Sequence, residues 1–127
     1  CTAAKVAIGY FEGHSDVGGQ RRWTLRVGND YFPSNVPLTA GATAFLAVEI
    51  TFNTANTTVA FYVNPSTLGP TIPQPTLTAS SAEPLTFRSV AVYLGNSPAN
   101  GTVDELRLAS SYSCVAPDSN VEVNLPP

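Results

Sequence analysis

Carboxylates are the first residues to consider for chemistry in this chain. Glycoside hydrolysis needs two of them, about 5 to 5.5 Å apart in retaining enzymes or about 6.5 to 9.5 Å apart in inverting ones. Glu49 stands alone in its apolar segment, and Asp104 and Glu105 are neighbours that point to opposite faces of a strand. A nucleophile triad has less support, because His14 is the only histidine and lies in a glycine-rich turn. We therefore predict a protein without enzymatic activity.

A second group of polar residues has the chemistry of a cation site. Glu12, His14 and Asp16 alternate in one turn, and Asn29-Asp30 offers further oxygens for a hard ion such as calcium. A solvated polar hairpin explains the same pattern, and no established metal spacing is present. Both interpretations stay open.

Two cysteines bracket most of the chain, Cys1 at its start and Cys114 near its end. In an oxidising compartment they would most simply form one disulfide. An intermolecular bridge and a lipid-modified Cys1 are the alternatives. The chain starts at Cys1 without an initiator Met, which suggests either a mature form whose export signal has been removed or a fragment.

Asn56-Thr-Thr58 and Asn100-Gly-Thr102 fit the pattern of N-glycosylation sites.

The elements that must position these residues are strands, because period-two patterning dominates the sequence. Strands are predicted over 5–11 and 20–28, and in the latter Trp23, Leu25 and Val27 share the face that should enter the core. Residues 43–53 and 57–63 follow, joined by a tight hairpin at 53–56.

The second half of the pattern is interrupted by proline. Residues 33–42 read as a connection, and 64–84, with five prolines, as a long surface loop that cannot hold a central strand. Strands are then predicted over 86–94 and 102–109, completing the sheet core. A further short alternation, carried by Val121, Val123 and Leu125, predicts a spare strand near the end of the chain.

The strand phrases resemble the concanavalin A-like (LamG-like) family of lectin and glucanase jelly rolls. The resemblance rests on six segments in the family's order: Gly9–Glu12, Arg22–Gly28, Leu46–Phe52, Val59–Pro65, Ser89–Leu94 and the closing Gly101–Tyr112. It implies a secreted all-β protein, an antiparallel β-sandwich of jelly-roll type. The family's opening strands are lacking, so a partner strand would complete the fold. The Glu-x-Asp-x-x-Glu pattern of the glucanases is missing. We expect one domain over 1–114 and a tail over 115–127.

A lectin-like fold also implies a place for sugar binding, where exposed aromatic rings stack on the sugar and polar groups fix its hydroxyls. Tyr62 and Tyr93 are the candidates for such a face, beside Arg22 and Arg26. Ordinary cross-strand packing is the alternative explanation for both tyrosines. Trp23 is assigned to the core.

The composition of the chain excludes some classes of function. The chain has 127 residues, 12% of them charged, and a net charge of -3 with six basic residues, so it lacks the basic footprint of a nucleic-acid-binding protein. No apolar run is long enough to span a membrane. Low charge with 11 prolines and 9 glycines is typical of a secreted all-β protein, and together with the resemblance it predicts an extracellular or cell-surface protein. Two hypotheses follow: a self-associating adhesive or structural subunit, with Val121 to Leu125 donated to a neighbour, or a monomeric module that binds a polysaccharide or a cell-surface glycan.

Overall fold

The computed structural model describes residues 5–65, 71–92, 101–103 and 106–115. The protein is all-β, and its strands form two antiparallel sheets, as the sequence predicts. The strands are β1 (Val6–Gly9), β2 (Asp16–Val17), β3 (Gln20–Val27), β4 (Asp30–Pro37), β5 (Leu46–Phe52), β6 (Thr57–Val63) and β7 (Leu77–Ser81). A single helical turn, α1 (Tyr112–Val115), follows near the end of the described chain.

The first sheet is organised around β3, which pairs with β1, β2 and β4. Leu25 lies between Ile8 of β1 and Phe32 of β4, and the next residue, Arg26, lies between Ala7 and Tyr31. Alternate residues of a strand point to opposite faces, so the row of Leu25 faces the core and the row of Arg26 faces outward. Gly28 has a φ of +61° and opens the two-residue turn into β4, a position that glycine occupies without steric cost.

The strand β4 corrects the prediction that residues 33–42 are a connection. It contains Pro33 and Pro37, neither of which can donate a backbone hydrogen bond. Among the described strands β4 pairs only with β3, and its register shifts between Pro33 and Pro37. Proline is tolerated on such an edge strand and at a bulge. Ser34, buried at the shift, accepts a hydrogen bond from the Val36 N–H at 3.1 Å.

The second sheet is a meander in the order β5, β6, β7. The predicted hairpin between β5 and β6 is confirmed, with the Asn53 N–H donating to the Asn56 carbonyl at 3.0 Å. The strand β7 lies inside the segment 64–84 that was predicted to be a loop, so that prediction is wrong over Leu77–Ser81. This stretch contains no proline, and Ala79 packs into the core opposite Val59.

The two sheets enclose one core. Leu25 and Val27 of β3 pack with side chains of β6 and with Ala79 of β7. The residues supplied by β6 are Val59, Phe61 and Val63. Trp23 is half-buried against this cluster, which agrees with its assignment to the core. The molecule is therefore a β-sandwich of two antiparallel sheets, while jelly-roll connectivity stays a prediction.

The chain after β7 differs from the sequence-based prediction. Residues 86–92 and the described parts of 101–109 are not in strands, and their large apolar side chains are exposed. A strand requires a neighbour for its backbone N–H and C=O groups, and alternating side chains alone do not supply one. The predicted strands that would complete the sheet core are thus absent from the described part of 86–109. Val121, Val123 and Leu125 lie outside the described residues.

Candidate functional site

The turn between β1 and β2 is held by a buried serine. Ser15 is fully buried, and its Oγ accepts a hydrogen bond from the Phe11 N–H at 2.8 Å. The backbone N–H groups of His14 and Ser15 both donate to the Phe11 carbonyl, at 3.0 and 2.9 Å. The Arg22 N–H donates to the Ser15 carbonyl at 2.9 Å, which ties the turn to β3. Side chains on this turn are therefore carried on a closed backbone loop.

Aromatic rings from the turn gather on Tyr31 of β4. The His14 ring stacks on the Tyr31 ring with centroids 3.8 Å apart and planes within 4° of parallel. Phe11 meets the same tyrosine edge to face at 5.3 Å. The Arg26 guanidinium lies 5.3 Å from the Tyr31 centroid, within the range of a cation–π contact. The outer face of the first sheet thus carries a compact group of three rings and a guanidinium.

Tyr10 makes a separate set of contacts at the β1–β2 turn. The Tyr10 hydroxyl donates a hydrogen bond to Asp16 Oδ2 at 3.0 Å, and the Arg21 guanidinium lies 5.3 Å from the Tyr10 centroid. The hydrogen bond to Asp16 stabilises the neutral phenol and raises the pKa of Tyr10 above its ordinary value. We call the four residues gathered around Tyr31 the Tyr31 surface: Phe11, His14, Arg26 and Tyr31.

The predicted cation site is not formed. Among the described residues no three His, Cys, Asp or Glu side chains come close enough to hold an ion together. Instead of converging, His14 stacks on Tyr31 and Asp16 accepts the Tyr10 hydroxyl, while Glu12 is exposed. His14 and Asp16, which the sequence pattern suggested as calcium ligands, are therefore engaged in an aromatic contact and a hydrogen bond.

The residues predicted to bind glycan are separated by the fold. Tyr62 is only 3% exposed, so its ring is not accessible to a sugar, and Tyr93 lies outside the described residues. Arg22 Nη1 donates to the Ser34 carbonyl at 3.4 Å, and Arg26 Nε donates to the Gly28 carbonyl at 2.9 Å. Burial of Tyr62 removes the centre of the predicted face, and of the four residues only Arg26 belongs to the Tyr31 surface.

A shallow cleft lies beside Trp23. It is bordered by Thr39, Thr43 and Asn64 and has a volume of about 90 Å³. Pockets for small ligands are usually larger, about 300 to 1,000 Å³. Asn64 has a structural task there, because its Oδ1 accepts a hydrogen bond from the Phe45 N–H at 2.9 Å. We assign no ligand to this cleft.

The predicted disulfide is tested by the state of Cys114. Cys114 is an exposed free thiol in α1, where its Sγ accepts a hydrogen bond from the Ser111 hydroxyl at 3.2 Å. The predicted disulfide is therefore not formed in this structure, and Cys1 lies outside the described residues.

Asn56 is half-buried in the β5–β6 hairpin, where its Oδ1 accepts a hydrogen bond from Asn53 Nδ2 at 3.1 Å. Glycosylation of Asn56 stays a prediction, and Asn100 lies outside the described residues.

Of the three carboxylates considered for catalysis, Glu49 is the one that the structure describes. Glu49 is exposed on β5 and lies opposite Ala60 of β6. Asp104 and Glu105 lie outside the described residues. The absence of enzymatic activity stays a prediction.

Exposed apolar side chains follow β7 along the chain. Six large apolar side chains between residues 87 and 108 are exposed. They are Phe87, Val90, Val92, Val103, Leu106 and Leu108. In its described part, the stretch of chain that carries them belongs to neither sheet.

Comparisons with known proteins add no assignment: the chain matches no family model, no curated protein and no solved structure. Among the residues the structure describes, no helix has the length and apolar character needed to cross a membrane.

The Tyr31 surface was not found by sequence reasoning, although one signal for it exists. A two-residue turn at Gly28-Asn29 sets Arg26 opposite Tyr31, so this pair follows from the hairpin register alone. The approach of His14 and Phe11 depends on the path of the turn before β2, which the sequence pattern does not specify.

Proposed function

We propose that this protein is a secreted, non-enzymatic β-sandwich that acts as an adhesive or structural subunit by associating with copies of itself. The observation that carries the proposal is the strand-patterned apolar chain after β7, whose described residues within 86–109 are exposed and lie outside both sheets. The resemblance to lectin-like jelly rolls and the low charge support an extracellular or cell-surface location. The alternative is a monomeric carbohydrate-binding module.

The apolar side chains supply a driving force for association. Leu106 and Leu108 are 59% and 69% exposed, and Val92 is 57% exposed. Removing apolar surface from water contributes roughly 25 cal/mol per Å², so covering the exposed part of each side chain contributes on the order of 1 kcal/mol. Several such side chains covered together favour a contact between two copies.

The second sheet offers places where an added strand can bind. Among the described strands, β5 and β7 each pair with β6 on one side only. The outer edge of such a strand presents N–H and C=O groups to an incoming chain. A segment with alternating apolar residues, such as 86–92, is suited to pair with an edge and bury alternate side chains. A second copy provides both the segment and the edge.

Charge does not oppose this association. Only 12% of the residues are charged and the net charge is -3, so repulsion between copies is weak. A partner of strongly opposite charge is not needed. These properties favour self-association over capture of an ionic ligand.

Light scattering and negative-stain electron microscopy on the full chain, with and without reductant, test the proposal. We expect assemblies several times larger than the 13.3 kDa chain, growing with protein concentration and persisting in reductant. The double variant Leu106→Ser, Leu108→Ser should reduce the assembled fraction at least about tenfold, which corresponds to about 1.4 kcal/mol. Ile72→Ser is the matched control, because Ile72 is 55% exposed but lies outside this segment.

A monodisperse 13.3 kDa species at every concentration would overturn the proposal and favour the monomeric module. Equal loss of assembly in Ile72→Ser would show that the apolar chain after β7 has no specific role in assembly. The role of the tail is tested separately. Deletion of residues 120–127 abolishes assembly if Val121, Val123 and Leu125 are the donated strand, and full assembly after deletion overturns that role.

A further inference from the structure

We infer that β5 pairs with β5 of a second copy, antiparallel and about a two-fold axis at Ile50, so that the second sheets of the two copies join into one continuous sheet. The inference rests on the proposed self-association and names a surface for it. This surface shares no residue with the apolar chain after β7, so each contact can be tested without the other.

The outer edge of β5 has backbone groups that are available for pairing. The Asn53 N–H donates to the Asn56 carbonyl, and the Asn64 N–H donates to the Phe45 carbonyl. Hydrogen-bonded pairs alternate along an antiparallel ladder, so the odd-numbered residues of β5 bond to β6 and the even-numbered ones turn their N–H and C=O groups to the outer edge. No other described strand pairs with that edge. The even-numbered residues are Leu46, Val48, Ile50 and Phe52.

This edge lacks the features that keep other edges from pairing. Natural proteins protect their edge strands with proline, charged residues, bulges or short length. The strand β4 has Pro33, Pro37 and a register shift, and β1 has only four residues. In contrast, β5 has seven residues, contains no proline or basic residue, and keeps a regular register with β6. Among the described strands, β5 therefore offers the longest regular edge without proline.

The core-facing side of β5 is incompletely covered. The side chains of Leu46, Val48 and Ile50 are half-buried against the core cluster, and Phe52 is 54% exposed. Phe61, opposite Val48 on the central strand β6, is fully buried, so the burial of this face decreases toward the edge. A strand added beside β5 places its own alternate side chains next to this apolar row. The same row on a second copy supplies the apolar side chains that cover it.

Charge and side-chain pairing select the register. An axis at Glu49 sets this carboxylate directly against its own copy, and like charges placed opposite each other are destabilising. An axis at Ile50 instead sets Glu49 opposite the Thr51 hydroxyl. It also sets Phe52 opposite Val48, a favourable pair of an aromatic and a β-branched side chain. An axis at Val48 leaves Phe52 without an opposite residue, so the axis at Ile50 is preferred.

The strength of this contact depends on protein concentration. A single pair of edge strands covers less than the roughly 800 Å² per partner that is typical of a stable complex. We therefore expect a dimer that forms as the protein is concentrated. Dilute protein is monomeric and keeps Phe52 exposed.

Sedimentation velocity over a range of concentrations tests the inference, on Leu106→Ser, Leu108→Ser protein so that association through the apolar chain after β7 is weakened. We expect a reversible dimer with twice the 13.3 kDa mass of the chain. Ile50→Pro should weaken this dimer at least about tenfold, since each copy loses a hydrogen bond across the axis while the ladder to β6 does not use that N–H. Thr78→Pro is the matched control on β7. Thr78 lies opposite Ala60, which bonds to β5, so its N–H also faces away from β6.

A second pair of variants tests the register without changing the backbone. Thr51→Lys places a positive charge opposite Glu49 of the second copy and should strengthen the dimer about fivefold, whereas Thr51→Glu should weaken it by a similar factor. Thr51 is exposed, so both variants should fold. The same two substitutions at Thr78, which is exposed on β7, are the controls and should leave the dimer unchanged.

The possible failures are distinguishable. Circular dichroism confirms folding, and the Thr51 variants decide the result if Ile50→Pro does not fold. A monomer at every concentration in the Leu106→Ser, Leu108→Ser protein would overturn the inference, while assembly of the parent would leave the proposed function standing. Equal effects of Ile50→Pro and Thr78→Pro, or equal effects of Thr51→Lys and Thr51→Glu, would overturn the inference too. A parent that is monomeric at every concentration would overturn both.

Discussion

Tyr10 and Asp16 show how a short-range contact changes the chemistry of a single residue. They are six positions apart, and the β1–β2 turn brings the phenol to the carboxylate at 3.0 Å. Because the neutral phenol is the donor and ionised Tyr10 would repel Asp16, the pKa of Tyr10 is raised. Glu12, His14 and Asp16 were considered as ligands for a cation, but Asp16 instead accepts a hydrogen bond from the Tyr10 hydroxyl.

This contact predicts a pH dependence. The raised pKa means that the contribution of the pair to stability is present below the ordinary tyrosine pKa of about 10 and is lost as the pH rises through the pKa of the folded state. Asp16→Asn should lower the pKa of Tyr10 toward its ordinary value. Ultraviolet difference titration of tyrosinate measures this shift against the parent. Identical titration curves for the two proteins would contradict it, and Asp30→Asn is the control on the neighbouring hairpin.

At the scale of elements, β6 is the central strand of its sheet and its first residue anchors the chain that leaves β7. Thr57 is fully buried, and its Oγ1 accepts a hydrogen bond from the Leu85 N–H at 2.9 Å. Leu85 packs against the core at this point. The described chain beyond Leu85 belongs to neither sheet, so this hydrogen bond ties the start of that chain to the core.

Replacement of this hydroxyl should therefore be costly. Thr57→Val keeps the shape of the side chain but leaves the Leu85 N–H without its acceptor, and we expect the free energy of unfolding to fall by about 1 to 3 kcal/mol. Urea denaturation measures the change. Thr58→Val is the matched control, because Thr58 is half-exposed and meets only the Ser80 hydroxyl, at 3.4 Å. An equal loss in both variants would contradict the assignment.

At the scale of the whole molecule, stability depends on the contact between the two sheets. Phe61 is the largest fully buried side chain among the described residues, and it joins β6 to Leu25 and Val27 of β3. The opposite side of the first sheet carries the Tyr31 surface, so the core holds in place the strands on which that surface is built.

Truncation of the core phenylalanine should destabilise the whole domain. Phe61→Ala removes a fully buried ring, and we expect a loss of about 3 to 5 kcal/mol, a large part of the roughly 5 to 15 kcal/mol that stabilises a typical domain. Thermal unfolding monitored by circular dichroism measures it. Phe52→Ala, at an exposed position, should change stability by no more than about 0.5 kcal/mol. Similar losses in the two variants would contradict the placement of the core.

Much of the sandwich could be predicted from the sequence, and most of the candidate site could not. The strands β1, β3, β5 and β6 and the β5–β6 hairpin follow from local patterning. The strands β4 and β7 were missed because prolines in or beside them read as breaks, and the short β2 was missed because it lies in a segment that reads as a turn. Tyr62 illustrates the limit for sites. Its position on a strand was predicted, but its burial depends on what covers the sheet.

The sequence by itself determined the all-β class, the alternating strands around Leu25 and Phe61, and the hairpin at Asn53, because these depend on backbone sterics and period-two burial. The tertiary structure decided which segments become strands, since every strand needs a neighbour for its backbone groups. It placed β7 in a sheet and left the described part of 86–109 outside both. It also brought His14 onto Tyr31, because a contact across 17 positions depends on the path of the chain.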